Sequence, residues 1–500
     1  MAKVLFAIGV LCIYPIINSI YNLYFHPLSR RFPGPKLWAM SRLPFIYNLL
    51  RGTLIQRQRE IHERYGKICR IAPDEISFAN EQSWDDIYTF RRGHKRAVRD
   101  KAFFTAPDEH EVDNIITTTD PKFHMRVRGL LSHSFTEDAL RTQYPIINHH
   151  ANTLVSQLRK LAQTSNSPHQ PSVVNMTDWV NFFTMDVIGD LAFGEPFGCL
   201  SRGEYHDWVR TLFMYLKFMS IAAAPRYYPW LEWGLMKLIP KSIMEGQRTH
   251  QKYADERINK RLELETSRSD FMSAFIKKNH DFSVMSRKEL LSTFNFVIIG
   301  GSETTATVLT GLFTHLATDW RVRETLCREI RARFKREEDI NFDSIKGLPY
   351  LEAVLSEGLR MCNPIPSGLP RMVPKGGDTY CGEYLPEGTR IGSRTFAINR
   401  SPDYFYESDT FVPERWLPLS ERPKQYHNDQ LTASRPFSVG FHSCMGKSLA
   451  WVELRLVLCR LLWAFDLDNE GLEKVKFDNF PVLMLVQKSK LDLNIKLRDM

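Results

Sequence analysis

Apolar residues recur at three-to-four spacing over Trp179 to Leu191, Leu290 to Ala317, Trp320 to Lys335, Leu351 to Met361 and Met445 to Ala464, with charges on the other face of each. That period lines the apolar positions up along one side of an α-helix, so these stretches are predicted to be helices. Short extended segments are predicted near Lys67 to Ile76, over Gly376 to Ile391 and in the last fifteen residues. The expected fold class is mainly α with small β-sheets. From about Arg400 to Gly440 neither period holds. This stretch is rich in Pro, Asp and Ser and too long for an idle connection, so something must hold it in place.

The amino-terminal end reads differently. After Met1-Ala2-Lys3, the run Val4 to Ile17 is apolar apart from tyrosine, and Asn18 to Phe25 extends it with aromatic residues. A run of about 20 residues is what a helix needs to cross a bilayer. Arg30, Arg31 and Lys36 follow, which favours a cytosolic body, and Tyr21 and Tyr24 suit the membrane interface. The rival is a cleaved secretory signal, but no small-residue cleavage site is evident. Arg31-Phe32-Pro33-Gly34-Pro35 then stiffens the chain and cannot continue a helix. No linker, low-complexity tract or internal period interrupts the remainder. The expected organisation is a transmembrane anchor over 1–25, a Pro-rich hinge over 26–40 and one catalytic domain over 41–500.

Composition narrows the class. With 500 residues, 43% of them hydrophobic and 12% aromatic, the chain can bury a large core and is neither disordered nor fibrous. The net charge of +9 admits nucleic acid, an anionic membrane or an acidic partner. Its basic residues are dispersed, which is the habit of a solvated surface, and no nucleic acid is expected. Eight cysteines lie scattered without a pairing framework, so the body is expected in a reducing compartment, and no CxxC or Cys/His cluster suggests zinc.

One cysteine stands apart. Pro436 to Gly446 (PFSVGFHSCMG) leads into the helix KSLAWVELRLVLCRLLWAF, which puts Cys444 at a helix start where N–H groups and the dipole favour a thiolate. Such a thiolate is suited to be an axial iron ligand. Gly440 lets the loop turn, Gly446 lets the helix approach a flat macrocycle, and Phe437 covers the sulfur. A buried structural cysteine is the plain alternative. From the chain's own frequencies, Phe, Gly, Cys and Gly at these spacings arise by chance on the order of once per thousand such chains. The segment resembles the cysteine loop FxxGxxxCxG of the cytochrome P-450 superfamily, matched in full by Phe437, Gly440, Cys444 and Gly446.

Four further features extend the resemblance over nearly the whole chain from residue 30. Glu357 and Arg360, three apart on one helix, resemble the superfamily's ExxR pair, with Arg415 in VPERW as the third member of a clamp on the irregular stretch. Gly300-Gly301-Ser302-Glu303-Thr304 resembles the oxygen-activation motif, with Glu303 as the acid and Thr304 as the hydroxyl; paired glycines there suggest a kink. His124 and Arg128 resemble the WxxxR pair with His in place of Trp. Arg371 falls where a propionate ligand is common, and His442, where relatives carry Arg, promises a weaker, pH-sensitive contact.

The resemblance implies heme b (iron protoporphyrin IX) on Cys444, insertion of one oxygen atom from dioxygen into a lipophilic small molecule, and protons delivered through Glu303 and Thr304. No flavin or nicotinamide motif is apparent. Electrons are therefore expected from NADPH through a microsomal reductase docked on basic residues around Lys447, with a small heme electron-transfer protein as a second donor. The pocket is expected from Phe103-Phe104, Ile115-Ile116, Phe294 to Ile299, Ile365-Pro366-Ser367 and Phe480-Pro481-Val482, all apolar but for Asn295 and Ser367. The segments FHPLSRRFPGPK and GLPRMVPKGG resemble fungal microsomal members acting on terpenoids, polyketides or alkaloids, which places the chain on the endoplasmic reticulum with membrane lipid as a further partner. Two rivals stay open: a heme-thiolate isomerase or dehydratase that needs neither dioxygen nor reductase, and a silent heme-binding or sensing protein.

Overall fold

The structure is a computed structural model describing residues 2–104, 112–163, 172–237, 241–264, 268–279, 281–468 and 475–498, with side chains from Ile13 onward apart from a few between 215 and 274. Its principal helices are α1 (Ala2–Tyr24), α2 (Pro121–Leu131), α3 (Glu137–Gln163), α4 (Met176–Phe193), α5 (Asp207–Ala222), α6 (Lys241–Glu263), α7 (Arg287–Thr318), α8 (Trp320–Arg333), α9 (Pro349–Met361) and α10 (Lys447–Ala464). Strands β1 (Ile68–Ala72), β2 (Glu75–Phe78), β3 (Val98–Arg99), β4 (Ser172–Asn175), β5 (Arg371–Met372), β6 (Asp378–Tyr380), β7 (Glu383–Leu385), β8 (Arg390–Ser393), β9 (Phe465–Asp468) and β10 (Asp492–Leu497) form three small sheets, ordered β1-β2-β8-β5-β3, β4-β10-β9 and β6-β7.

The five helices expected from periodicity are α4, α7, α8, α9 and α10, and the segment between Arg400 and Gly440 holds only single 3-10 turns. Helix α6 escaped the pattern because its buried face includes Gln251 and Arg261 beside Ala254 and Ile258. Helix α7 opens with a capping box, the Ser286 hydroxyl accepting from Glu289 N–H and the Glu289 carboxylate accepting from Ser286 N–H. It is long and apolar enough to cross a bilayer, yet most of it is buried in the core.

Helix α7 packs closely along α4 because Gly301 has no side chain: a Cβ there would lie 2.4 Å from Ile188 Cδ1. The glycine pair therefore marks a tight crossing, and the expected kink does not interrupt the helical run. Nothing stands within 4 Å of a Cβ added at Gly300.

The expected hinge lies against the domain. Leu28 and Phe32 are buried beside Phe78 and Tyr88, Arg70 N–H donates to Pro33 O at 2.8 Å, and a Cβ on Gly34 would sit 2.2 Å from Arg70 O. The end of α1 is tied in too, through Asn22 Nδ2 to Met40 O at 3.0 Å and Arg70 Nη1 to Asn22 O at 2.9 Å. Residues 2–24 are helical; the side chains of Val4 to Cys12, part of the expected anchor, lie outside the described residues.

Candidate active site

The cysteine loop is shaped by one glycine and one arginine. Gly440 has φ +69°, and a Cβ on it would stand 2.1 Å from Tyr88 O, so no other residue permits this turn. Beyond the turn, Cys444 N–H donates to Phe437 O at 2.9 Å. Arg128 reaches over from α2 and donates to Ser443 O at 2.8 Å and Ser443 Oγ at 3.2 Å, which ties it to the loop.

Helix α10 starts at Lys447 with Gly446 as its cap, so Cys444 stands just ahead of the helix rather than on its first turn. Burial raises the Cys444 thiol pKa, and Gly446 N–H, Arg128 and Lys447 pull it down. The side chain nevertheless keeps exposed surface, which for so enclosed a group means that it opens onto an internal cleft. A Cβ at Gly446 would meet nothing nearer than Cys444 Sγ, at 3.9 Å, so the space beside the sulfur is open.

Above the loop the chain collects cations. Arg99 on β3 faces Arg371 on β5 as direct cross-strand partners, both buried. Like charges so placed repel unless an anion lies between them. Burial depresses both guanidinium pKa values; Arg371 and Arg96 depress that of Arg99 further, with Asp113 pulling weakly the other way. Arg96 stacks on Phe441 and bonds the His442 ring at 3.2 Å. His124 packs on His442 with ring centroids 4.3 Å apart. Arg99 Nε, Arg371 Nη2 and His124 Nδ1 are buried without a hydrogen-bond partner.

Burial followed by Arg99 depresses both histidines, His124 to about 3 and His442 further. The positive charge resides on Arg96, Arg99 and Arg371.

The irregular stretch is held by Glu357. Its carboxylate accepts from Arg360 Nε at 2.8 Å and Nη2 at 2.7 Å, from Arg415 Nε at 3.2 Å, from Val412 N–H at 2.8 Å and from Trp416 Nε1 at 2.8 Å. Arg360 continues to the carbonyls of Asn399 and Ser408, and Arg415 to Tyr406 O and the Asp429 carboxylate. Ser408 and Tyr406 belong to the stretch that had no period of its own and Asn399 stands at its entrance, so this side-chain network stands in for ladder hydrogen bonds that stretch lacks.

A cavity of about 710 Å³ is lined by Phe103, Phe104, Ile116, Phe296, Ile299 and Ile365, together with Glu303, Thr304, Arg99 and His442. The described structure corrects the rest of the expected lining. Ile115 and Phe294 are core residues, and Phe480 and Val482 line a separate small pocket with Pro366. In their place stand Phe213, Leu216, Lys217 and Ser220 from one face of α5, and the loop Met484 to Lys490. Thr304 Oγ donates to Gly300 O at 2.7 Å, and Glu303 meets Lys488 Nζ at 2.5 Å.

A family model described as Cytochrome P450 matches residues 33–495. The chain is a cytochrome P450. It is 36% identical to "Cytochrome P450 monooxygenase astA" of Talaromyces wortmannii over 493 residues, 97% of this chain and 95% of that one. "Cytochrome P450 monooxygenase astJ" of Aspergillus oryzae (strain ATCC 42149 / RIB 40) is 38% identical over 450 residues, 90% of this chain and 88% of its own. "Averantin hydroxylase" of Dothistroma septosporum (strain NZE10 / CBS 128990) is 34% identical over 472 residues, 94% and 86% of the two chains.

A P450 carries heme, and the residues of this one fit it. Arg99 and Arg371 leave unsatisfied N–H groups beside one another, as a carboxylate-bearing ligand requires, and Cys444 Sγ opens onto the space that Gly446 keeps clear. Arg96, Arg99 and Lys488 escaped the sequence reading. Arg96 and Arg99 sit in HKRAVRD, where two arginines three apart in an extended run look like ordinary surface charge. Their apolar company in Ala97 and Val98 was the available signal.

Proposed function

We propose that this P450 is a heme-thiolate monooxygenase that inserts one atom of dioxygen into a lipophilic small molecule, a fungal terpenoid, polyketide or alkaloid intermediate. The observation that carries the reading is the convergence of His442 from the Cys444 loop, the buried Arg99 and the Glu303-Thr304 pair on one cavity. Heme, when bound, supplies the redox chemistry that splits dioxygen, one atom passing to substrate and the other leaving as water.

The chain's own residues hold and feed it. Cys444 is the iron ligand, with Phe437 and Gly446 beside it; Arg99, Arg371, Arg96 and His124 receive the propionates, while Arg128 fixes the loop and His442 lies between. Thr304 and Glu303 hold and move the protons that turnover consumes. The mixed lining, apolar from Phe103 to Ile365 but polar at Asn181, Asn295 and Ser220, suits a lipophile that already carries oxygen functions.

NADPH electrons enter through a microsomal reductase, or a small heme electron-transfer protein, at the exposed Lys447 end of α10. The membrane reading is supported by α1, where Ile16 and Ile17 are each 60% exposed, and by Trp230 and Trp233, each 67% exposed. Residues 1–25 are then the anchor in the endoplasmic reticulum membrane and the catalytic domain is cytosolic.

The test is the absorption spectrum of the reduced, carbon monoxide-treated protein, with NADPH consumption beside a microsomal reductase. A red-shifted thiolate Soret band and reductase-dependent turnover are expected. Cys444→Ala should abolish the band, while Cys459→Ala, buried within α10, should leave it. The band without any reductase-coupled consumption would shift the assignment to an isomerase or dehydratase; no band in folded, heme-supplied protein would overturn it.

A further inference from the structure

Among the described residues, the Glu303 carboxylate is held by one donor. On its own helix the hydroxyls are committed elsewhere: Thr304 Oγ donates to Gly300 O at 2.7 Å and Thr307 Oγ to Glu303 O at 2.7 Å. Across the cavity, Tyr205 spends its only hydroxyl proton on Asp178 at 2.8 Å. Among the described residues, the donor to the Glu303 side chain is Lys488 Nζ, 2.5 Å from Oε2, and that ammonium also lies 3.4 Å from Thr307 Oγ. Both side chains are enclosed, Lys488 at 6% and Glu303 at 10% exposure, so solvent screening of the pair is slight.

The lysine is itself anchored at both neighbours. Gln487 N–H donates to Pro481 O at 2.7 Å, and Ser489 O accepts from Thr177 Oγ at 2.9 Å. Asp178, which lines the same cavity, accepts instead from Tyr205 and, at 2.5 Å, from Asn175 Nδ2. The ammonium so presented meets the Glu303 carboxylate.

We propose that Lys488 is the positioning residue for the Glu303-Thr304 pair: presented by the cavity-lining loop 484–490, its ammonium sets where the Glu303 carboxylate stands. This rests on the proton-handling role assigned to Glu303 above. Without Lys488 the Glu303 carboxylate loses the ammonium that fixes its position, and a proton-handling group displaced by about 1 Å loses much of its effect. Because the same loop lines the cavity, the position of the acid is tied to the surface that substrate touches.

The experiment uses the full-length, heme-loaded protein with reductase and no added substrate, reading NADPH consumed per heme, peroxide formed per NADPH (NADPH + H⁺ + O2 giving NADP⁺ + H2O2) and the solvent isotope effect. Lys488→Met is expected to slow consumption by about tenfold, raise the peroxide share and enlarge the isotope effect, with the carbon monoxide band unchanged. Lys488→Arg, which still donates to a carboxylate, should restore most of the loss. In a Glu303→Gln background Lys488→Met should add nothing, since the two act as a unit.

If Glu303→Gln impairs turnover while Lys488→Met leaves all three readouts at wild type, the positioning role is wrong and the relay stands. Faster consumption or a lower peroxide share in Lys488→Met would overturn it equally, showing that the lysine restrains the acid. If Glu303→Gln itself changes nothing, the relay reading fails and takes this inference with it. Should Lys488→Met lose its heme band, Lys488→Gln against Lys488→Arg decides the same question.

Discussion

Glu357→Gln keeps the shape of the side chain and removes its charge, leaving Arg360 and Arg415 buried without their counter-ion; all three side chains are 0% exposed. Removing one partner of a buried pair costs about 3–5 kcal/mol. The pKa leads to the same order by a separate route. Burial would raise the Glu357 pKa, but Arg360 and then Arg415 more than offset it and hold it at about 2, against an ordinary 4.5. At about 1.4 kcal/mol per unit, that difference is about 3 kcal/mol of stability. A depressed carboxylate contributes that stability above pH 4.5 and loses it as pH falls from there toward 2.

Unfolding entropy near 2.1 cal/mol/K per residue gives about 1 kcal/mol/K for 500 residues, so the melting temperature should fall by about 3–5 °C. The assay is thermal melting of heme-loaded protein at neutral pH, with heme retained per chain measured in parallel. Arg141→Ala is the control. It breaks an ion pair of comparable geometry, Arg141 to Asp343 at 2.6 and 2.7 Å, but at 50% and 63% side-chain exposure, and should stay within the scatter of the melt. A Glu357→Gln shift no larger than that of Arg141→Ala would refute the reasoning that burial makes this pair matter.

Three other outcomes follow from the same geometry. Gly440→Ala forces a Cβ against Tyr88 O at a left-handed φ and should leave protein with little bound heme, scored by heme content per chain. Thr304→Ala should keep the thiolate band but raise peroxide per NADPH; an unchanged peroxide share would remove Thr304 from the relay. Burial pushes Glu453 up to about 8, with only the Thr305 hydroxyl opposing. A raised carboxyl contributes its stability below the unfolded value near 4.5 and loses it as pH climbs to 8, so Glu453→Gln should melt progressively higher than wild type between about pH 5 and 8, and a constant difference would count against that assignment.

The chain by itself determined the helices α4, α7, α8, α9 and α10, because the apolar spacing that marks them is local even where, as in α4, burial extends around almost the whole helix, and the cysteine loop, because its glycines and cysteine are neighbours in sequence. It also brought out Glu357, Arg360 and Arg415, whose buried bonds to the carbonyls of the 400–429 stretch are what that stretch lacked. What it could not reach were juxtapositions between distant segments. Arg99 meets Arg371 only because β3 pairs with β5, and Lys488 meets Glu303 only because the loop before β10 returns over α7. The pocket went the same way: α5 and the loop 484–490 replaced Phe480 and Val482 because lining depends on which side of the cavity a segment crosses, not on how apolar it is. The setting of His442 is of the same kind: burial lowers its pKa first, and the charges that lower it further, Arg99 and Arg371, come from strands far away in the chain.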